Sequence, residues 1–294
     1  MTDKYGAVRC VAMREGVAMP ALGLGTWEMG VDAAAKADEV AALKYGLDLG
    51  MDLIDTAELY ADGGAEEVVR EAIEGRRDEV FLVSKVLPDN ASFDGTLKAC
   101  EKSLKRLGTD RLDLYLLHWI GEHPVAETLE ALDRLKRDGK IVQYGVSNFD
   151  LDAMRKAEDT PLGRRVVSNQ LYYNLAHRTI DFELLDWCWA RGISIMAYSP
   201  LNQAKLESKA ALKDVAERHG VTPETIAIAW TLRHPALISI PKAVKREHID
   251  TNRQAIEINL SEDDLAALDR DYPPPTEERG IGLELWLDLD EMTD

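Results

Sequence analysis

Residues 51–85, MDLIDTAELYADGGAEEVVREAIEGRRDEVFLVSK, hold one complete strand–helix–strand unit. MDLID (51–55) is an apolar run of strand length that ends on a carboxylate. From Ala65 to Glu74 apolar residues recur at helical spacing, and Gly75 follows as the usual stop. EVFLVSK (79–85) is a second strand-like run, and it ends on a lysine. Two strands joined through a helix predict a parallel sheet covered by helices.

The same unit recurs in both directions. Upstream, ALGLG (21–25) reads as a strand and Asp32 to Leu49 as a helix ended by Gly50. Downstream, Thr96 to Leu107 is helical and ends at Gly108; RLDLYLLHW (111–119) is a strand, and Pro124 to Asp138 a helix. KIVQYGVSN (140–148) is the next strand, with Asp150 placed to cap the helix after it. RVVSNQ (165–170), a helix over Asp181 to Arg191, ISIMAYSP (193–200) and LISIPK (237–242) complete the series, with helical segments flanking the last strand. Eight strands, each followed by a helical pattern, predict an α/β protein: a (β/α)8 TIM barrel in one domain over residues 1–294. AVRCVAM and VAMP predict an N-terminal β-hairpin, and the proline-broken, acidic end (about 273–294) a short C-terminal tail or flap over the barrel mouth. A doubly wound sheet would carry a glycine fingerprint on its first turn; GLGTWE has Gly23 and Gly25 but Glu28 in place of the third glycine.

With 35 basic against 53 acidic residues, the net charge is −18. That excludes wrapping of nucleic acid and docking on an anionic membrane, both of which need a basic face. The surplus of carboxylates suits a high-salt protein and an ordinary acidic enzyme equally. No apolar run is long enough for a membrane span, and MTDKYGAVRC has no signal-peptide core. The cysteines Cys10, Cys100 and Cys188 form no CxxC pair, so neither a disulfide framework nor a metal site is expected. The expectation is a reduced, cytoplasmic protein.

In a barrel the strand C-termini carry the chemistry. Here they end on Asp55, on Lys85 in phase with Phe81 and Val83, and on His118 in phase with Leu114 and Leu116. Further on come Ser147 with Asn148, Asn169 with Gln170, Tyr198 with Ser199, and Lys242. Singly, each has an ordinary reading: a cap for Asp55, a solvated loop residue for Lys85, a satisfied core imidazole for His118. Gathered at one opening, Asp55, Lys85, His118 and the nearby Tyr60 form a general-acid assembly. A phenol is a poor acid at neutral pH, with a pKa near ~10. An adjacent ammonium favours the phenolate, and Asp55 can keep that ammonium charged. His118 can hydrogen-bond a substrate carbonyl oxygen. The set suits protonation of an oxygen that gains charge as a hydride arrives. No GxSxG or HExxH motif points to a hydrolase.

GLGTW (23–27), DTAELY (55–60), VSK (83–85), LLHW (116–119), GVSNF (145–149), NQ (169–170), YSPL (198–201) and IPK (240–242) together resemble the aldo-keto reductases, in order and spacing, over nearly the whole chain. The short IGEHP after the fourth strand is similar to bacterial or archaeal members. The resemblance implies a monomeric barrel that reduces small aldehydes or ketones with NADPH. It implies Tyr60 as proton donor, Lys85 and Asp55 as the pair that lowers its pKa, and His118 as the residue orienting the carbonyl. It assigns Ser147, Asn148 and Gln170 to the carboxamide of the cofactor, Tyr198 to its nicotinamide ring, and Ser199 and Leu201 to its pyrophosphate. Gly25, Thr26 and Trp27 would wall the nicotinamide and substrate. Trp119 would line the substrate pocket, with core packing as its other reading.

At the adenine end, PKAVKREHIDTNR keeps Lys242 and Asn252 but has Ala243 and His248 where NADPH-binding relatives usually have serine and arginine. Lys242, Lys245, Arg246 and Arg253 still outnumber Glu247 and Asp250, a basic island where barrels bind phosphate. NADPH is therefore expected, with a weaker preference over NADH. The alternative from another class is a non-catalytic, nicotinamide-binding regulatory subunit of the same fold, which has no need to keep all of Asp55, Tyr60, Lys85 and His118.

Overall fold

The computed structural model describes residues 7–277 and 280–281. The chain opens with an antiparallel hairpin of β1 (Cys10–Ala12) and β2 (Ala18–Pro20). Strands and helices then alternate: β3 (Gly23–Gly25), α1 (Lys36–Asp48), β4 (Leu53–Asp55), α2 (Gly64–Ala72), β5 (Phe81–Val86), α3 (Phe93–Leu107), β6 (Leu112–Leu117), α4 (Val125–Arg137), β7 (Ile141–Ser147), α5 (Leu151–Glu158), β8 (Ser168–Tyr172) and α6 (Leu184–Trp189). They continue with β9 (Ser194–Tyr198), α7 (Ala210–His219), α8 (Pro223–Thr231), β10 (Leu237–Ser239), α9 (Arg246–Gln254) and α10 (Glu262–Asp271). Strands β3 to β10 pair in chain order, every ladder parallel. The ring closes through a parallel bridge between Leu22 and Ser239 and a 3.1 Å bond from the Gly25 amide to the Pro241 carbonyl. A Cβ on Gly25 would stand 2.7 Å from the Ile240 carbonyl oxygen, so only glycine fits this seam. The expected barrel and hairpin are both present.

Strands buried on both faces read as unbroken apolar runs. Leu114, Tyr115 and Leu116 of β6, and Leu82 and Val83 of β5, are fully buried on this account. Removing each such side chain from water contributes about 1.5–3 kcal/mol. Asp113 interrupts the β6 run, and it is held by Arg77 at 2.7 Å and by the Leu82 amide at 2.9 Å. The pleat of β5 sends Lys85 into the barrel and Ser84 outward, where its hydroxyl donates to Glu66 on α2.

Asp150 caps α5, as expected, by accepting the Ala153 amide. Three helix starts differ from the expected ones by more than a residue or two. α3 begins at Phe93 because Ser92 caps it, accepting the Gly95 amide. Asp32 accepts the Ala34 amide and starts a turn, so α1 begins later, at Lys36. Asp181 does not open α6: its carboxylate is taken by Arg178, Arg233 and the Tyr173 hydroxyl. Of the expected C-terminal flap, residues 278–279 and 282–294 lie outside the described residues, while Ile281 packs against the core. Among the described residues no helix is long and apolar enough to cross a membrane, and no group of His, Cys, Asp or Glu side chains could hold a metal ion.

Candidate active site

The C-terminal ends of β4, β5 and β6 bring four side chains together. The Lys85 ammonium donates to Asp55 Oδ2 at 2.9 Å, to the Thr56 carbonyl at 3.0 Å and to Tyr60 Oη at 3.0 Å. These three bonds use all the donors an ammonium has. Asp55 Oδ1 accepts the Gln170 amide at 2.7 Å, so both carboxylate oxygens are engaged. The Tyr60 ring lies edge-on to Trp27 (centroids 5.0 Å apart) and to His118 (5.9 Å). Because Oη accepts from Lys85, its own proton is left to point elsewhere.

The backbone around this opening is strained. Nine non-glycine residues among those described have φ between +50° and +65°, and eight of them follow the C-terminal ends of β3, β4, β7 and β9. Ala61 and Asp62 come directly after Tyr60, and Asn148, Ser199, Gln203 and Ala204 line the cleft. A left-handed non-glycine residue costs roughly 1–2 kcal/mol and persists only where its surroundings dictate it.

Burial governs the protonation states. It holds the Tyr60 phenol well above its ordinary value, with the Asp55 charge adding to it. The family resemblance implies the opposite direction, with Lys85 and Asp55 lowering that value. The ammonium faces Tyr60 already paired with Asp55, and the desolvation of a phenolate, with the Asp55 charge beside it, decides the direction. Burial also lowers Lys85, opposed first by Asp55 and then by Glu66. His118 is held well below the usual imidazole range by burial and by the Lys85 charge, so it is neutral at physiological pH.

A cleft of about 1020 Å³ runs from these residues across the barrel mouth. Gly25, Thr26, Trp27, Asp55, Tyr60, His118, Asn148, Gln170, Tyr198, Ser199 and Leu201 line it, and Lys242, His248 and Asn252 form its far end. Three expected site residues are not in its wall. Lys85 sits behind Tyr60. Ser147 is fully buried, accepts the Asn148 amide and donates to the Gln170 carbonyl. Trp119 packs on His118, centroids 4.7 Å apart. Of the basic island only Lys242 reaches the cleft: Arg253 is buried against the Leu49 carbonyl and Glu257, and Arg246 lies over the Tyr45 ring. The loop after β9 (Gln203, Lys205, Leu206) and Glu224 and Thr251 also line the cleft, at positions no sequence motif marks. That loop has no periodicity, and only its place in the fold marks it.

The donor set fits a nicotinamide dinucleotide. Tyr198 is fixed at one edge by a 3.0 Å bond to Asn148 Oδ1 and backed by the stacked Tyr172 ring, which leaves an aromatic surface for a flat heterocycle. Lys242 and the first turn of α9 supply positive potential for phosphate at the other end. The volume is at the top of the ~300–1,000 Å³ range of small-molecule sites, enough for a long ligand beside a small one.

The family model described as Aldo/keto reductase family matches residues 21–272. The methylglyoxal reductase YeaE of Escherichia coli (strain K12) is 46% identical over 264 residues, covering 88% of this chain and 93% of that protein. The glyoxal reductase of Bacillus subtilis (strain 168) is 34% identical over 263 residues, with 88% and 91% covered. A crystal structure of an aldo/keto reductase from Klebsiella pneumoniae in complex with NADP and acetate matches with a TM-score of 0.90 at 47% identity, covering 92% of this chain and 98% of that one.

Proposed function

We propose, for a chain that belongs to the aldo/keto reductase family, that it reduces small aldehydes and ketones to alcohols with NADPH, and that Tyr60 delivers the proton. The observation that carries this reading is the Lys85 ammonium bonded at once to Asp55 and to the Tyr60 hydroxyl at the head of a dinucleotide-sized cleft. The relatives named for methylglyoxal and glyoxal make short dicarbonyls the first substrates to try.

A reduced nicotinamide, when bound, supplies the hydride for the carbonyl carbon. Tyr198 would stack on its ring, Asn148 and Gln170 would face its carboxamide, Ser199 and Leu201 its pyrophosphate, and Lys242, His248 and Asn252 the adenosine phosphate. The chain's own groups handle the oxygen. Tyr60 is protonated at neutral pH because burial keeps it so, which makes it a loaded donor. As the carbonyl oxygen gains negative charge it becomes far more basic than a phenol and takes the Tyr60 proton. The phenolate left behind is 3.0 Å from the Lys85 ammonium, whose attraction strengthens as the charge forms. Asp55 acts through Lys85, keeping it charged and aimed. His118, neutral, donates a hydrogen bond to the same oxygen without competing for the proton. Trp27 lines the cleft edge-on to Tyr60.

Tyr60→Phe tests the reading. NADPH should still quench the protein's tryptophan fluorescence with unchanged affinity, while carbonyl reduction falls by about 10³-fold or more. Turnover at the wild-type rate in this variant would sink the assignment. The intact set of Asp55, Tyr60, Lys85 and His118 favours the enzyme over the regulatory-subunit alternative.

A further inference from the structure

Behind the Lys85–Tyr60 pair lies a second charge pair, with one fully buried member, that the proton transfer does not use. Glu66 is fully buried in the first turn of α2. Its Oε1 accepts the Ser84 hydroxyl at 2.7 Å and its Oε2 the Arg106 Nε at 2.5 Å. Ser84 is the residue before Lys85 on β5, on the opposite face of the strand. Arg106 comes from the last turn of α3 and is 23% exposed, so Glu66 is the desolvated member of the pair. Burying a carboxylate this deeply is costly unless it is paired and hydrogen-bonded, as it is here.

Two features tie the pair to the reaction. The first is mechanical. Tyr60 opens a short turn, Tyr60–Gly63, in which Ala61, Asp62 and Gly63 all have positive φ (50°, 50° and 92°) before α2 begins. The Arg106 side chain lies directly over Gly63: a Cβ there would be 2.5 Å from Arg106 Cδ and Nε. The bond to Glu66 therefore presses the guanidinium stem onto the left-handed turn and holds it between α2 and α3. A turn in this conformation needs outside restraint. The second feature is electrostatic. Lys85 is faced by Asp55 from β4, Tyr60 from the turn, His118 from β6 and Glu66 from α2, with Arg106 behind Glu66. Glu66 is the second carboxylate that favours the charged lysine.

We propose that the Glu66–Arg106 pair is a positioning device for the proton transfer, which clamps the left-handed turn carrying Tyr60 and sets a second negative charge behind Lys85. Neither residue touches the cleft. The inference rests on Tyr60 being the proton donor.

Glu66→Gln keeps the shape and one acceptor but removes the charge. Whether Tyr60 or Lys85 loses its proton on the alkaline side, a missing neighbouring negative charge makes the loss easier. In this variant kcat should fall by about five-fold or more, and the alkaline limb of its pH profile should move down by about half a unit. NADPH affinity by fluorescence quenching should stay within about two-fold, since no cleft residue is altered. Glu66→Asp, which keeps the charge, should return the alkaline limb to its wild-type position. A Glu66→Gln profile and kcat superimposable on wild type would overturn the proposal, even with a lower Tm. If Glu66→Gln does not fold, the partly exposed partner decides: Arg106→Gln should lower kcat by about five-fold with NADPH affinity kept, and wild-type kcat overturns the clamp. A Tyr60→Phe variant that still turns over would sink the underlying reading. A dead Tyr60→Phe beside an unaltered Glu66→Gln would sink only the clamp.

Discussion

The side-chain amide of Gln170 lies 2.7 Å from Asp55 Oδ1, and these residues belong to β8 and β4, which face each other across the eight-stranded ring. The bond is a strut through the barrel. It spans 115 residues of sequence and leaves Asp55 no freedom to turn, since Lys85 holds the other oxygen. The direction from which Lys85 meets Tyr60 is thereby set from the far wall.

Gln170→Leu removes the strut and leaves Asp55 Oδ1 buried without its donor, at a cost of about 1–3 kcal/mol. The expected drop in Tm is roughly 2–4 °C per kcal/mol. With Asp55 free to rotate, kcat should fall by about ten-fold. Thermal unfolding and steady-state kinetics on one preparation check both. Wild-type kcat in a destabilised variant would show that Asp55 needs no restraint.

The state of His118 has its own signature in pH. Burial and the Lys85 charge depress it well below the usual imidazole range, so it is neutral at physiological pH. The kcat/KM profile should therefore have no acid limb near the ordinary histidine value of about 6.5. An acid limb centred there in wild type, absent in His118→Gln, would mean the imidazole titrates in place.

How far the sequence carried depended on the kind of signal. The barrel was legible because each strand is a short apolar run closed by a polar residue, and because Gly50 and Gly108 follow helices by simple chemistry. The assembly of Asp55, Tyr60, Lys85 and His118 was legible for the same reason: strand ends in a barrel share one mouth. Two things were not. Arg253 and Lys242 look alike as letters, yet one is buried against Leu49 and the other lines the cleft, and only packing separates them. The direction of the Tyr60 shift depended on how closely Asp55 neutralises Lys85 and on how completely the phenol is desolvated. Both are properties of the assembled site.

His248 stands at the far end of the cleft, near the exposed Lys242. An imidazole gives one hydrogen bond where a guanidinium gives a two-pronged, permanently charged grip on phosphate. His248→Arg should therefore tighten NADPH by about ten-fold and leave NADH nearly unchanged. Titrating tryptophan fluorescence with each dinucleotide measures this directly. Equal tightening of both would place the side chain away from the 2′-phosphate.

Asp264 joins α10 to α7 and predicts how the fold responds to acid. It completes the capping box of α10, accepting the Ser261 amide at 3.0 Å, and it pairs with Arg218 and His219 of α7. Those partners outweigh its burial and hold its pKa well below the usual carboxylate value. A depressed folded-state value means that the stabilisation is complete above the unfolded pKa of about 3.9 and is lost as pH falls below it. Asp264→Ala should cost about 1–2 kcal/mol at neutral pH through the lost cap and pairs. The gap in Tm between variant and wild type should then narrow on acidification below about pH 4, because the wild type loses what the variant never had. Melting curves of both proteins from about pH 7 to about pH 3 decide it: a constant gap would mean the carboxylate acts through packing alone.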